Sequence, residues 1–350
     1  MNMQTIEPAR AISRRPATTQ KLNLALQGTG AHGAFGWGVL DKLLEDGRVT
    51  FDGISATSAG AMNAVVYAYG EMTGGASNAR IQLEVFWRKV SEQGSPFSRL
   101  RNSLSLIPGF DLARRLATHQ LETLTQVMSP YELNPLNFNP LKPILEAVVD
   151  FEELQLNRKT KLAFGATNVR TGRPRIFTNR DITVETVLAS ACVPTLFHAV
   201  EIEGEHYWDG GLAGHPTLFP LLCNTQTRDI LIAQIQPLER RDLPKRAPDI
   251  ANRMNEISAA TALTNEIWAI TEMTRAVENG WIHPDHKAKF TPARLHAIRS
   301  DEVMSDLTAS SRLDTSWTFL TRLRDRGREA AQLWLDTHFK NVGVQSTLDI

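Results

Sequence analysis

Leu22-Asn23-Leu24-Ala25-Leu26-Gln27-Gly28-Thr29-Gly30-Ala31-His32-Gly33 decides the fold of this chain. Its first half is almost wholly apolar and bounded by glycine, which predicts a short buried strand. Residues 34–45 then place Phe35, Val39, Leu40, Leu43 and Leu44 at helical spacing. Strand, glycine loop and helix open an α/β unit. The loop matches G-x-G-x-x-G, a pattern shared by dinucleotide pyrophosphate loops and by any tight strand-to-helix turn that aims backbone N–H groups at negative charge. The dinucleotide reading needs an acidic residue at the far end of the next strand. Here Asp52 lies near the beginning of that strand and Ser58 lies at its far end, which argues against a nucleotide.

Outward from this unit, Asp46-Gly47 stops the first helix, and Phe51-Asp52-Gly53-Ile54-Ser55-Ala56 predicts a second strand that turns at Thr57-Ser58-Ala59 into a helix over 60–69. A Gly74-Gly75 break leads to a helical region over 81–90. A proline-punctuated stretch over 96–143 follows, best read as an insertion or cap. Strands are predicted at 161–167 and 175–177, joined through Thr171-Gly172-Arg173-Pro174. Next come a helix over 184–191, a strand at 199–202, and His206-Tyr207-Trp208 running into Asp209-Gly210-Gly211. A further buried strand is predicted at 231–235. Beyond about residue 248 the pattern is helical over 250–279 and 317–339, with a strand at 295–298 between them. The strands spread from Leu22 to Ile298 without a clean linker, which favours one α/β domain over two.

The composition narrows the function classes. The chain has 350 residues, 42% hydrophobic and 22% charged, and its 38 basic residues balance 38 acidic ones. A neutral body has no global field to hold a polyanion, so no nucleic-acid partner is expected. Neutrality leaves membrane contact open, because one apolar rim suffices for it. Cys192 and Cys223 sit in mostly apolar stretches and read as two buried, reduced thiols; neither a disulfide scaffold nor a metal site is expected, and no cofactor. Arg10, Arg14 and Arg15 precede the first strand without an apolar run, so no signal peptide is readable. The run from Ile54 to Gly70 is interrupted by Ser55, Thr57, Ser58 and Asn63, so no membrane span is expected. The expectation is a soluble, cytoplasmic protein.

Chemistry concentrates at three places. Ala56-Thr57-Ser58-Ala59-Gly60 has the form of a nucleophile elbow, with Ala56 where glycine is usual. On this segment alone Ser58 reads equally as a helix N-cap. Asp209-Gly210-Gly211 places a carboxylate at a strand end, a pattern that by itself is most often an ordinary turn. Together with the glycine loop, however, the two supply a nucleophile, a base and N–H donors, and in parallel α/β sheets such strand ends gather along one edge.

Through Ala25-Leu26-Gln27-Gly28, Phe51-Asp52-Gly53-Ile54-Ser55, Ser129-Pro130-Tyr131-Glu132-Leu133-Asn134-Pro135-Leu136-Asn137, Ala166-Thr167-Asn168-Val169 and Asp209-Gly210-Gly211, the chain resembles the patatin-like phospholipases from Leu22 to its carboxyl end. These are acyl hydrolases with a serine-aspartate dyad. The resemblance implies a three-layer α/β/α architecture around a mostly parallel sheet, organised as a leader over 1–20 and one hydrolase domain over 21–350. That domain would include a helical cap at about 71–143 and a helical region at about 249–350. It also implies that Ser58 is the nucleophile, Asp209 its base, and the N–H groups of Gly28, Thr29, Gly30 and Ala31 the oxyanion hole. His32, Gly33, Gly60, Gly210 and Gly211 would support them, and the substrate would be a lipid or other ester. The sequence departs from the family at Thr29, where glycine is common, at His32, where Arg or Lys is frequent, and at Ala56. His32 would carry positive charge only when protonated.

Two rival readings follow from the same residues. A Ser-Asp-His triad could recruit His215, His283 or His286, all downstream of Asp209, and the departures could instead mark a catalytically weak or inactive lipid-binding protein. Between Phe97 and Leu116, Arg99, Arg101, Arg114 and Arg115 alternate with apolar residues, with Asp111 the lone acid. That segment would suit either a peripheral membrane contact or a cap helix with a solvated basic face. Neither the oligomeric state nor the acyl donor is encoded in these patterns.

Overall fold

A computed structural model describes residues 19–93, 128–214, 216–240, 243–283, 285, 292–304, 307 and 309–348. The expected leader, all but its last two residues, and the basic-apolar segment 97–116 lie outside the described residues, as do His215 and His286.

The opening unit forms as its sequence dictates. β1 (Gln20–Leu26) runs into the glycine loop and then α1 (Gly33–Asp46), which Gly47 ends in the left-handed conformation at φ 75°. β2 (Val49–Ala56) pairs parallel with β1, setting Leu26 beside Ala56. α2 (Ala59–Gln93) continues through a kink at Gly74 and Gly75, so the stretch expected to open the cap at about residue 71 carries on as helix. Single-turn helices at Pro130–Leu133 and Phe151–Leu154 bracket a six-residue one at Leu141–Glu146. β3 (Lys161–Asn168), β4 (Pro174–Thr178), α3 (Val184–Ser190), β5 (Val200–Ile202) and β6 (Glu205–Asp209) come next. β7 (Asp229–Gln234), α4 (Ala247–Glu278), β8 (Arg294–Arg299) and α5 (Trp317–Thr337) complete the set.

Among the described residues the strands form one eight-stranded sheet, in the order β5-β6-β3-β2-β1-β7-β8 with β4 also on β3. The ladders joining β3, β2, β1, β7 and β8 are parallel, and those made by β4, β5 and β6 are antiparallel. The strand pleat divides the core into two. Leu22, Leu24, Leu26 and Leu231 face α1, α2 and α5 in the larger cluster, while Ala25, Ile230, Ile232 and Leu295 face Leu263, Ile267 and Ile270 of α4. The result is helix, sheet, helix.

One pairing detail positions the site. β4 covers Ala163–Thr167 of β3; β2 pairs with Lys161–Phe164 and β6 with Ala166–Asn168. Because a strand has two edges and β4 overlaps both partners, β2 and β6 share the other edge of β3, one after the other. They run in opposite directions and meet end to end at Gly165. The residues leaving β2 and the last residue of β6 are thereby brought together.

α1 and α5 cross at two glycines. A Cβ on Gly38 would fall 1.9 Å from the Arg324 carbonyl oxygen, and one on Gly327 would fall 2.1 Å from that of Phe35. Gly38→Ala must push the helices apart and is predicted to lower unfolding stability by about 1–3 kcal/mol, read from the midpoint of a urea titration.

Candidate active site

The turn between β2 and α2 is strained at one residue. Ser58 has φ 55°, the left-handed region that side chains avoid, while Ala56 keeps a negative φ. The methyl group at the position where glycine was expected therefore needs no unusual backbone. The Ser58 N–H is held by both the carbonyl (3.1 Å) and the hydroxyl (3.1 Å) of Ser190, at the end of α3. The Ser58 carbonyl accepts from the N–H of Ala61 (2.9 Å) in the first turn of α2. An N-cap residue also accepts through its carbonyl but takes extended backbone angles; the left-handed φ of Ser58 departs from them, and its hydroxyl reaches the Asp209 carboxylate.

The glycine loop and the elbow interlock. A Cβ on Gly28 would lie 2.2 Å from the Gly60 nitrogen, and one on Gly60 would lie 2.5 Å from the Leu26 carbonyl oxygen. A Cβ on Gly33 would meet that of Ala59 at 2.5 Å. Larger residues at these positions would separate loop and elbow. On the other side, a Cβ on Gly210 would lie 2.1 Å from the Gly165 carbonyl oxygen, which seats the β6 terminus against β3.

Asp209 is fixed through its backbone and bonded through its carboxylate. Its N–H donates to the Cys192 carbonyl (2.8 Å) and its carbonyl accepts the Thr167 hydroxyl (2.8 Å). The carboxylate accepts the Gly211 N–H (2.7 Å) and a side-chain hydrogen-bond contact from Ser58. Burial drives its pKa up to about 6 against the opposing pull of those two donors. Cys192, whose charge would face Asp209, is a buried thiol pushed up to about 12, first by burial and then by that carboxylate. Cys223 corrects the expectation of two buried thiols: it is exposed, on the short helix Phe219–Asn224 whose inner face is taken by Leu221.

The four loop positions named from sequence divide. Among the described residues no partner is found for the N–H groups of Gly28, Thr29 and Gly30, whereas the Ala31 N–H donates to the Arg312 carbonyl (2.8 Å). Gly30 takes φ 53° with that same carbonyl oxygen 2.5 Å from where its Cβ would be, so glycine is required there. His32 is buried, with Nε2 2.7 Å from the Ser311 hydroxyl. Burial, then Arg312 and Arg240, lower its pKa to about 3 against the opposing effect of Glu256. It is neutral at physiological pH, so the expected pH-dependent charge is absent near neutrality. Sequence reading gave no warning of the buried group behind the loop, where Glu256 binds Arg240 (2.6 Å) and Arg253 (3.4 Å) with Arg312 at 3.8 Å. Burial acts to raise the Glu256 pKa, and the arginines overcome it. These residues sit on a helix, a loop and a 3₁₀ turn far apart in sequence, without a motif to join them.

His283, the one described member of the rival triad, is exposed beside Asp285 (3.5 Å). Among the described residues no cluster of His, Cys, Asp and Glu could hold a metal ion, and no helix is long and apolar enough to cross a membrane.

A family model described as patatin-like phospholipase matches residues 24–221. Among solved structures, VipD from Legionella pneumophila is similar at 16% identity and a TM-score of 0.43, over 92% of this chain and 67% of that one. The structure of full-length SpcU in complex with full-length ExoU, from the type III secretion system of Pseudomonas aeruginosa, is similar at 14% identity and a TM-score of 0.31, over 92% of this chain and 54% of that one. The chain thus spans about two thirds of the first and about half of the second. No curated protein matches it in sequence.

The raised Asp209 pKa has a consequence for stability. With a folded-state value of about 6 against 3.8 unfolded, the native protein binds more protons between those values. The stability from this group is complete below 3.8 and is lost as pH rises through about 6. Asp209→Asn is predicted to unfold at higher urea than the parent above pH 6, by on the order of 2 kcal/mol, with the difference vanishing below 3.8.

Proposed function

Because this chain belongs to the patatin-like phospholipase family, we propose that it is a lipid acyl hydrolase whose Ser58 and Asp209 form the catalytic dyad. The observation that carries this reading is the meeting of a strained serine at φ 55° with a partly buried carboxylate whose pKa of about 6 suits proton transfer.

Asp209 accepts the Ser58 proton while Oγ attacks the ester carbonyl carbon. The carbonyl electron pair moves onto oxygen, where the N–H groups of Gly28, Thr29 and Gly30 receive it. Ala31 is left out of this set because Arg312 holds its N–H. The tetrahedral intermediate collapses, and the alcohol leaves with the proton returned by Asp209. Water, deprotonated by the same carboxylate, then attacks the acyl-enzyme and frees the acid and Ser58. An unperturbed aspartate is a weak base; burial raises its basicity, and the Gly211 N–H fixes its orientation.

Support against the triad is local. Among the described residues the interactions acting on the Asp209 carboxyl are burial, Gly211 and Ser58, and His283 lies exposed against Asp285. His283→Ala is expected to keep its rate.

The base must be ionised to act, so kcat/KM is expected to rise with pH through an inflection near 6 and then level. His32→Gln should leave that inflection in place, since His32 titrates near 3. Ser58→Ala and Asp209→Asn are each expected to lower turnover of a lipid ester by about 10⁴-fold or more. A fluorophosphonate should label the folded parent at Ser58. A parent that hydrolyses no ester and takes no label on Ser58 would instead be the lipid-binding protein of the rival reading.

A further inference from the structure

α4 is apolar on two faces. Leu263, Ile267 and Ile270 turn inward against β7 and β8. On the outward side Ile250, Met254, Ile257 and Trp268 are exposed, Met254 at 64% and Trp268 at 61%. At 3.6 residues per turn these four fall within an arc of about 60°, along about 27 Å of helix. The outward residues among them are the neutral Thr261, Thr264 and Asn265, and charge returns to the arc only past Trp268, with the Glu272–Arg275 pair. Arg253, at the margin, turns inward to Glu256 and to the Leu238 carbonyl (2.9 Å). An ordinary surface helix keeps this face charged.

The helix that carries the stripe packs beside the proposed site through its Glu266 side, which is turned away from the stripe. α4 touches the 3₁₀ turn Gly210–Leu212 that leaves Asp209, and its Glu266 carboxylate accepts the Leu218 N–H. Leu212, three residues past Asp209, is 60% exposed, and Phe219 is exposed as well. Lys245 and Arg246 lie exposed at the amino-terminal end of the stripe.

We propose that this outward face of α4 is the surface on which the protein sits on a lipid bilayer. The inference rests on the lipid acyl hydrolase reading. A lipid ester stays in its membrane because its chains are costly to expose to water, so the site that cleaves it must come to the bilayer. A neutral stripe ending in a tryptophan suits the boundary between head groups and chains, and Lys245 and Arg246 complement anionic head groups. The contact is a local one on a body whose net charge is zero.

The test uses the full chain in flotation with vesicles of phosphatidylcholine, with and without phosphatidylglycerol, beside turnover of a soluble short-chain ester. The parent is expected to float, more strongly with phosphatidylglycerol. The double variant Met254→Asp, Trp268→Asp should lose vesicle binding by about a hundredfold and keep its rate on the soluble ester, which also shows that it is folded. A parent that cleaves the soluble ester but does not float, or a double variant that floats equally well, overturns the membrane face and leaves the hydrolase reading standing. So does a parent dimer that the double variant converts to monomer, since the stripe would then be covered by a second copy. A parent that floats through this stripe but cleaves no ester overturns the hydrolase reading instead.

Discussion

Backbone-to-backbone contact at two pairs of glycines holds this site together. Gly28 lies against Gly60, and Gly210 against Gly165, at distances that admit no side chain. These contacts clamp the ends of β1, β2 and β6 to one another and to the middle of β3. A dyad built on side chains alone would tolerate movement of its strands, but here the strand ends have nowhere to go. In the proposed dyad, rigid placement of this kind would hold the Asp209 carboxylate and the Ser58 hydroxyl in register.

The electrostatics work against stability and in favour of the proposed chemistry. Burial raises the Asp209 pKa, and the two donors that face it only partly offset that cost. A better-solvated aspartate would stabilise the fold and would be a poorer base. The arginines behind the glycine loop follow a different logic, since Glu256 neutralises part of their charge and Arg240 and Arg312 suppress protonation of His32. The loop is thus steadied by a charged cluster while its neighbour His32 stays uncharged.

Much of the fold was legible because the signals were local. The glycine loop, the Asp46-Gly47 stop and the Gly74-Gly75 break each report a backbone need of a few adjacent residues, and β1, α1, β2 and the kink in α2 stand where those residues put them. Ser58 and Asp209 were likewise marked by small neighbours. What stayed hidden depends on contacts between distant residues. Nothing near Ala31 announces that Arg312 holds its N–H, and nothing near Ser58 announces Ser190. Cys223 looked buried because its neighbours are apolar, yet it lies on a short helix that buries its Leu221 side and leaves the thiol outside. The outward stripe of α4 escaped notice because apolar residues on two faces blur the helical period that separates inside from outside.

The link between His32 and Ser311 spans 279 residues. Together with the hold of Arg312 on Ala31, it makes the glycine loop a joint product of the first β-α unit and a turn near α5. Contacts so distant carry a loop-closure cost, as does the pairing of β1 with β7 within the sheet. The sheet can assemble while the loop is still unshaped. In that order of events the chain would acquire its architecture first and the setting of Ser58, the proposed nucleophile, last.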